Sequence, residues 1–401
     1  MTYILEVFFY SGKQPCLQGL TEKRAPFFVW YNQKMKIKEI KLKNYRNCKE
    51  IELNLDSKKV LIIGKNAQGK TNILESIYFL SALKSPRTNN NLELINFESE
   101  NVDIKSKIEK SSVEIELDFY YTSQKKRELK INKVKTSKPK DFKNILKTVL
   151  FSTQDLMLLR GAPQDRRDWL DSAISQIYPA YDDRLSKYNK TRIQKNNFLK
   201  DYNGNETLLE VYNEQLSILG SNIIYLRKKF LKEIEKIAKE KHLTISQDEK
   251  LTIEYDCSFL EAKTATEVNE ILEDFKKKLE EKKREEIARG QSLVGPHRDD
   301  VIFFINKKEA AKYASQGQQR TIVLSLKLAE LELITQKIRE TPVLLLDDVL
   351  AELDDVRQNY LLQTINENTQ TIITSVDTLL FDENFLKDVK IYKIKNGKIM
   401  V

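Results

Sequence analysis

The stretch 60-VLIIGKNAQGKTNILESIYFLSAL-83 constrains the fold more than any other. A short continuous apolar run, of the kind that fills a buried parallel strand, enters G-x-x-x-x-G-K-T. It leaves as a helix carrying Ile73, Leu74, Ile77 and Leu80 at helical spacing. Gly64 and Gly69 let the backbone wrap a phosphate chain, whose charge is met by N–H groups at the helix start. The loop Gly64, Lys65, Asn66, Ala67, Gln68, Gly69, Lys70 and Thr71 is therefore the expected nucleotide site. Lys70 is expected to reach the β/γ-phosphates and the Thr71 hydroxyl to reach Mg²⁺. A chance glycine turn would need neither flank.

A second segment has the matching form. In 343-VLLLDD-348 four apolar strand residues end in carboxylates, which places Asp347 at the edge of a sheet where ligands bind. Asp347 is expected to hold Mg²⁺, directly or through water, and Asp348 to polarise the attacking water as the catalytic residue.

Length and composition bound the rest. With 401 residues the chain buries a substantial interior and has room for two or three domains. Its three cysteines, Cys16, Cys48 and Cys257, show no C-x-x-C spacing. That favours a reducing compartment and disfavours a cysteine metal site. Only His242 and His297 are available for a histidine cluster, too few to build one. A net charge of +9 and a pI near 9.0 point to a polyanionic partner. No apolar run approaches the ~20 residues of a membrane span, and the N-terminus lacks a secretory signal pattern. The expected location is cytoplasmic, with no membrane association.

Patterning divides the chain. Ordered strand-like alternation begins at Met35, so residues 1–34 read as an extension of doubtful status. Strand signals continue to 148-TVLFS-152. From 163-PQDRRDWLDSAI-174 to Gly290 the pattern is mainly helical and highly charged, broken at 203-NGN-205 and by the strand-like 251-LTIEYDCSF-259. Strand signals return at 301-VIFFI-305 and end in a hairpin turning at Asn396-Gly397. The expected fold is α/β: a P-loop ABC-type ATPase head with a mixed sheet, interrupted by a mainly helical second lobe. Its parts are 35–165, the lobe 166–290, and 291–401.

The run 313-YASQGQQRTIVLSLKLAE-330 alone reads as a capped helix start. With the P-loop and the acidic strand it resembles the ATP-binding-cassette arrangement, in which a Gly/Gln/Ser helix start binds the γ-phosphate held by another subunit. The resemblance gives that role to Ser315, Gly317 and Gln318, and a hydroxyl, a bare backbone and a positive helix end suit an anion. It also makes 351-AELD-354 a D-loop along a dimer seam. Two departures stand out: Asp348 occupies a position often held by Glu, and 371-TIITSVD-377 offers Thr374 or Ser375 where a switch His is usual. Slow hydrolysis that times a bound state is the expected consequence.

The blocks 36-KIKEIKLKNYRNCKEIELNL-55, 151-FSTQDLMLLRGAPQDRRDWLD-171, 292-SLVGPHRDD-300, 315-SQGQQR-320 and 344-LLLDDVLAELD-354 are similar, in order, to DNA-repair cassette ATPases of the RecF/SMC type, and within them to the RecF family. That resemblance implies ATP and Mg²⁺ as ligands, with Gln154 sensing metal and γ-phosphate and Arg46 and Asn47 near the nucleotide. It implies an ATP-dependent homodimer that binds DNA at gaps and single-strand/duplex junctions, a weak DNA-stimulated ATPase, and recombinase loading with RecR and RecO. His297 remains either a satisfied loop histidine or a functional one. Arg166 and Arg167 either start a solvent-facing helix or belong to the head–insertion junction. DNA-contact candidates are 124-QKKRELK-130, 133-KVKTSKPK-140 and 227-RKKFLKEIEK-236. The insertion is too short for SMC-type arms. A transporter ATPase subunit and a non-hydrolysing nucleotide-binding scaffold are the competing readings.

Overall fold

The computed structural model describes residues 33–257, 259, 267–365 and 369–400. Residues 1–32 lie outside these, so the extension read at 1–34 is represented only by Gln33 and Lys34, which open the strand Gln33–Tyr45.

A six-stranded sheet forms the centre. Its spatial order is Lys398–Met400, Val389–Lys395, Lys59–Ile63, Thr371–Ser375, Val343–Asp347 and Thr148–Ser152. All its pairings are parallel except the edge hairpin Val389–Lys395 with Lys398–Met400. Lys59–Ile63 and Val343–Asp347 are apolar at all but one position because both their faces are covered. Alternation decides which side each residue serves. Val60, Ile62, Leu150, Val343, Leu345 and Ile372 face one core, shared with the helix Lys70–Ala82 and an antiparallel sheet. Leu61, Val149, Phe151, Leu344, Leu346 and Ile373 face the other, shared with the helix Gln316–Ile338 and the helical lobe.

The antiparallel sheet contains Gln33–Tyr45, Cys48–Asn54, Asn101–Lys110, Val113–Thr122 and Arg127–Ile131. Phe79 of the Lys70–Ala82 helix meets Phe119 edge to face, with ring centroids 4.6 Å apart. The strand Asn101–Lys110 carries no strong strand signal in the sequence. Its core face includes the polar Ser106, and its hairpin turns on Ser111 and Ser112, both at positive φ. Asn132-Lys133 and Asn306-Lys307 make similar turns. Of these left-handed pairs only Asn396-Gly397 has the residue pair that announces such a turn.

The lobe consists of the helices Pro163–Ile177, Ala180–Lys200, Glu206–Ser246 and Val268–Arg289. Pro163 sits in the first turn, where its missing N–H costs nothing. The last helix closes on a left-handed Gly290. The longest helix, 41 residues, spans about 60 Å and packs along Gln316–Ile338. Leu251–Asp256 pairs with Asp300–Ile305, so one small sheet joins a strand within the lobe to one beyond it. No helix among the described residues is long and apolar enough to cross a membrane.

Candidate functional site

The strand Lys59–Ile63 delivers the loop 64–71 to the C-terminal edge of the central sheet. Gly69 caps the following helix at φ 109°, a conformation that favours glycine. Gly64 lies so close to the C-terminal hairpin that a Cβ there would stand 2.5 Å from the Ile394 carbonyl oxygen. Lys70 is buried, and its ammonium donates to the Gly64 carbonyl at 2.8 Å. Its Nζ lies 3.6 Å from Asp348 Oδ2. Asp347 arrives from the next strand but one. Its Oδ1 accepts from Thr71 at 3.0 Å and from Thr374 at 2.8 Å. Burial raises the Asp347 carboxyl above its ordinary range, although both hydroxyls oppose the shift.

Asp348 adopts φ 53° and donates its N–H to the Thr374 hydroxyl at 2.9 Å. Among the described residues its Oδ1 is buried without a hydrogen-bond partner. Thr374 therefore orients both aspartates from the strand where a switch histidine is usual. Oxygen donors in this number suit Mg²⁺, which binds few protein ligands and keeps its waters; Thr71 and Asp347 fit that demand.

These groups line one open cavity of about 890 Å³, walled by residues 66–72, Arg46, Asn47, Gln154, Asp347 and Asp348. Asn47 accepts from Asn72 at 2.7 Å, which fixes the turn 44–47 against the P-loop helix. Arg46 lines the cavity with its guanidinium already engaged by the buried Glu75, with Nε donating at 2.7 Å. Glu75 also accepts from Ser85 at 2.6 Å and from Arg87 at 3.3 Å. Sequence reading missed Glu75. The available signal was an acid among the apolar positions of the P-loop helix.

Ser315, Gly317 and Gln318 are absent from the described lining of this cavity. Ser315 is exposed and caps the helix Gln316–Ile338 in a capping box with Gln318. On its other flank, Arg357 donates to Thr321 at 2.7 Å, and Asp354 of 351-AELD-354 caps the helix that carries Arg357.

The block 295-GPHRDD-300 meets the lobe through buried ionic contacts. Arg166 pairs with both oxygens of Asp300, at 2.7 and 2.8 Å. Arg167 donates to the Asp299 carbonyl at 2.6 Å. Arg227 is only 2 % exposed and donates to Asp171 and to the Pro296 carbonyl. Its place in the DNA-contact run 227–236 is therefore corrected: the guanidinium is spent inside the protein. Lys125, Lys126, Arg127 and Lys133, in the other two runs, are exposed at hairpin tips.

A phosphate-cradling loop, an acidic strand and a helical lobe inserted between them define a P-loop ATPase head with a mixed α/β sheet. The family model described as "RecF/RecN/SMC N terminal domain" matches residues 36–400. The DNA replication and repair protein RecF of Bacillus cereus (strain G9842) is 42% identical over 372 residues, covering 91% of this chain and 98% of its own length. Its counterpart in Bacillus thuringiensis (strain Al Hakam) matches to the same extent. A solved structure of the recombination mediator protein RecF with ATP, in the RecFOR pathway, superposes with TM-score 0.85 at 34% identity. It covers 94% of this chain and 99% of the other. An SMC head bound to the C-terminal winged-helix domain of ScpA shares the fold alone, with TM-score 0.53 at 15% identity. The chain belongs to the RecF/RecN/SMC family and, within it, to the RecF proteins.

Proposed function

We propose that this chain binds ATP with Mg²⁺ at the 64–71 loop, dimerises around two nucleotides and holds DNA while dimeric. The observation that carries this reading is the separation of two half-sites. Lys70, Thr71, Asp347 and Asp348 share one cavity, while Ser315 presents an exposed capped helix start elsewhere on the same chain. One copy supplies the cradle. A second supplies Ser315, Gly317 and Gln318 to the γ-phosphate.

Lys70 and the loop N–H groups bind and orient the β/γ-phosphates. Thr71 and Asp347 hold Mg²⁺, which when bound neutralises charge developing on the phosphates. Gln154 reports on the filled site. Asp348 orients the attacking water through its carboxylate; the new P–O bond forms as the bond to ADP breaks, and the water's protons pass to the released phosphate and to solvent. Aspartate is one methylene shorter than the glutamate often found there, and no histidine stands on the following strand. Turnover is accordingly slow, below the enzyme median of ~10 s⁻¹, and DNA stimulates it. The protein acts in the cytoplasm at gaps and single-strand/duplex junctions, loading recombinase with RecO and RecR. Support for those partners is the RecFOR pathway of the solved relatives. The lobe 166–290 lies beside the two head segments 35–165 and 291–401 and completes the claw around DNA.

Sedimentation with and without ATP and DNA tests the proposal. Wild type should dimerise on ATP, and Lys70→Ala should neither bind nor dimerise. Ser315→Arg should bind ATP and stay monomeric, and Asp348→Asn should hold the dimer longer. Normal ATP-dependent dimers of Ser315→Arg would refute the trans role.

A further inference from the structure

The helix start at Ser315 is held from the lobe side by a carboxylate outside the nucleotide machinery. Glu249 lies between the long helix Glu206–Ser246 and the strand Leu251–Asp256. Its Oε1 accepts from Gln318 Nε2 at 2.6 Å and its Oε2 lies 3.2 Å from His242 Nε2. His242 is fully buried, and burial holds its ring below the ordinary imidazole pKa, so the ring is neutral with Nε2–H donating. The segment bearing Glu249 is fixed in turn: Lys250 N–H donates to Asn306 Oδ1 at 2.9 Å, and Asn306 N–H returns to the Lys250 carbonyl at 3.0 Å.

The chemistry of the Gln318 amide makes this contact directional. An ionised carboxylate only accepts, so Glu249 can face the NH₂ end of the amide and not its oxygen. The oxygen is thereby turned to Ser315, whose N–H it receives at 2.8 Å. The Ser315 oxygen takes the Gln318 N–H at 3.2 Å, which leaves its own hydroxyl hydrogen free to donate outward. With the amide reversed, its NH₂ would confront the Ser315 N–H and the capping box would open.

We propose that Glu249, backed by His242, is a positioning residue that sets Gln318 and Ser315 for the phosphate held by a second copy of this chain, and so ties the helical lobe to the trans site. This rests on the trans role proposed above.

The test uses the full chain. Glu249→Ala should keep ATP affinity within about twofold of wild type, since the cradle is untouched. Its ATP-dependent dimerisation should weaken by about tenfold or more, the scale of one hydrogen bond to a charged group. Glu249→Gln keeps an acceptor oxygen toward Gln318, with His242 able to switch tautomer, and should dimerise nearly as wild type does. Lys70→Ala should associate with ATP-loaded Glu249→Ala as well as it does with ATP-loaded wild type, because in both pairs the one filled cradle meets an intact Ser315–Gln318 start. A merely destabilising substitution would weaken the pair with Glu249→Ala. Wild-type-like dimers of Glu249→Ala, a parallel loss of ATP binding, or weaker association of Lys70→Ala with Glu249→Ala than with wild type would each overturn the inference alone. Absence of ATP-dependent dimers in wild type would overturn the trans-site reading and this inference with it.

Discussion

Acid should loosen this protein through His297, well above the range where its carboxylates titrate. The half-buried ring lies between Tyr188 Oη, 2.7 Å from Nδ1, and the Ser292 carbonyl, 3.2 Å from Nε2. Those partners define a neutral ring, with Nε2–H donating and Nδ1 accepting. Burial, first, and the nearby Arg192, Arg298 and Arg167 push its pKa down to about 3. In the unfolded chain the value is ~6.5. Between those values the unfolded state binds the extra proton, so stability is fully present above ~6.5 and is lost as pH falls toward the folded value. From pH 7 to pH 5 the linkage is worth ~2 kcal/mol, or about 1–2 kcal/mol after discounting for the ring's partial exposure. Urea titrations of wild type and His297→Asn at both pH values measure it. The variant should be less stable at pH 7 by about 1–3 kcal/mol, because its amide oxygen can still accept from Tyr188 but nothing replaces the Nε2–H donated to the Ser292 carbonyl. Its further loss on going to pH 5 should be smaller than that of wild type by about 1–2 kcal/mol. The chain's other histidine, His242, is present in both proteins and cancels in the comparison. Equal acid losses in the two proteins would refute the account of His297 as a ring held neutral by its surroundings.

Two further substitutions probe the frame around the site. Gly64→Ala brings a Cβ against the Ile394 carbonyl, and backbone cannot swing aside as a side chain can. A loss of about 1–3 kcal/mol in thermal or urea melts, together with weaker ATP binding, is expected; an unchanged protein would show that the C-terminal hairpin does not brace the P-loop. Lys195 and Glu286 form a fully buried ion pair at 2.5 Å, and Lys195→Met should cost about 3–5 kcal/mol by leaving the carboxylate unpaired. The double variant Lys195→Met/Glu286→Gln should recover part of that loss in urea denaturation, since a neutral amide still accepts the Leu293 N–H.

What could be read in advance follows from how local each signal is. The strand–loop–helix at 60–83 and the acidic strand 343–348 carry their own context, because a buried parallel strand is apolar throughout. The hairpin at Asn396-Gly397 announced itself through its turn pair. The strand Asn101–Lys110 did not, because Ser111 and Ser112 take left-handed conformations without the residues that favour them. Arg227 looked like a free cation in a basic run; only tertiary contact with Asp171 and the Pro296 carbonyl shows it is spent. Glu75 and Glu249 escaped for a related reason: their partners Arg46 and Gln318 are distant in sequence, and the one local trace was an acid among the apolar positions of the P-loop helix.

The helix behind Ser315 has a burial that bears on how two half-sites could act together. From Gln319 to Ile334 nearly every residue is buried, polar and apolar alike, whereas 315–316 are exposed. A helix enclosed on all sides moves as a body. Its start and its middle are tied to the segment around Gln154 as well as to the lobe: Arg160 donates to Gln319 Oε1 at 2.7 Å, and Lys327 lies 3.5 Å from Asp155. Asp155 follows Gln154 in a single 3₁₀ turn, Thr153–Leu156. On the proposed reading, the chain's own nucleotide touches this helix through Gln154 and Asp155, and the partner's nucleotide touches it at Ser315. Two phosphates bound in different chains would then bear on one rigid rod, and the lobe, latched to the same rod by Glu249, would shift with it. Loss of one contact should therefore weaken the response to both nucleotides while leaving each cradle able to bind.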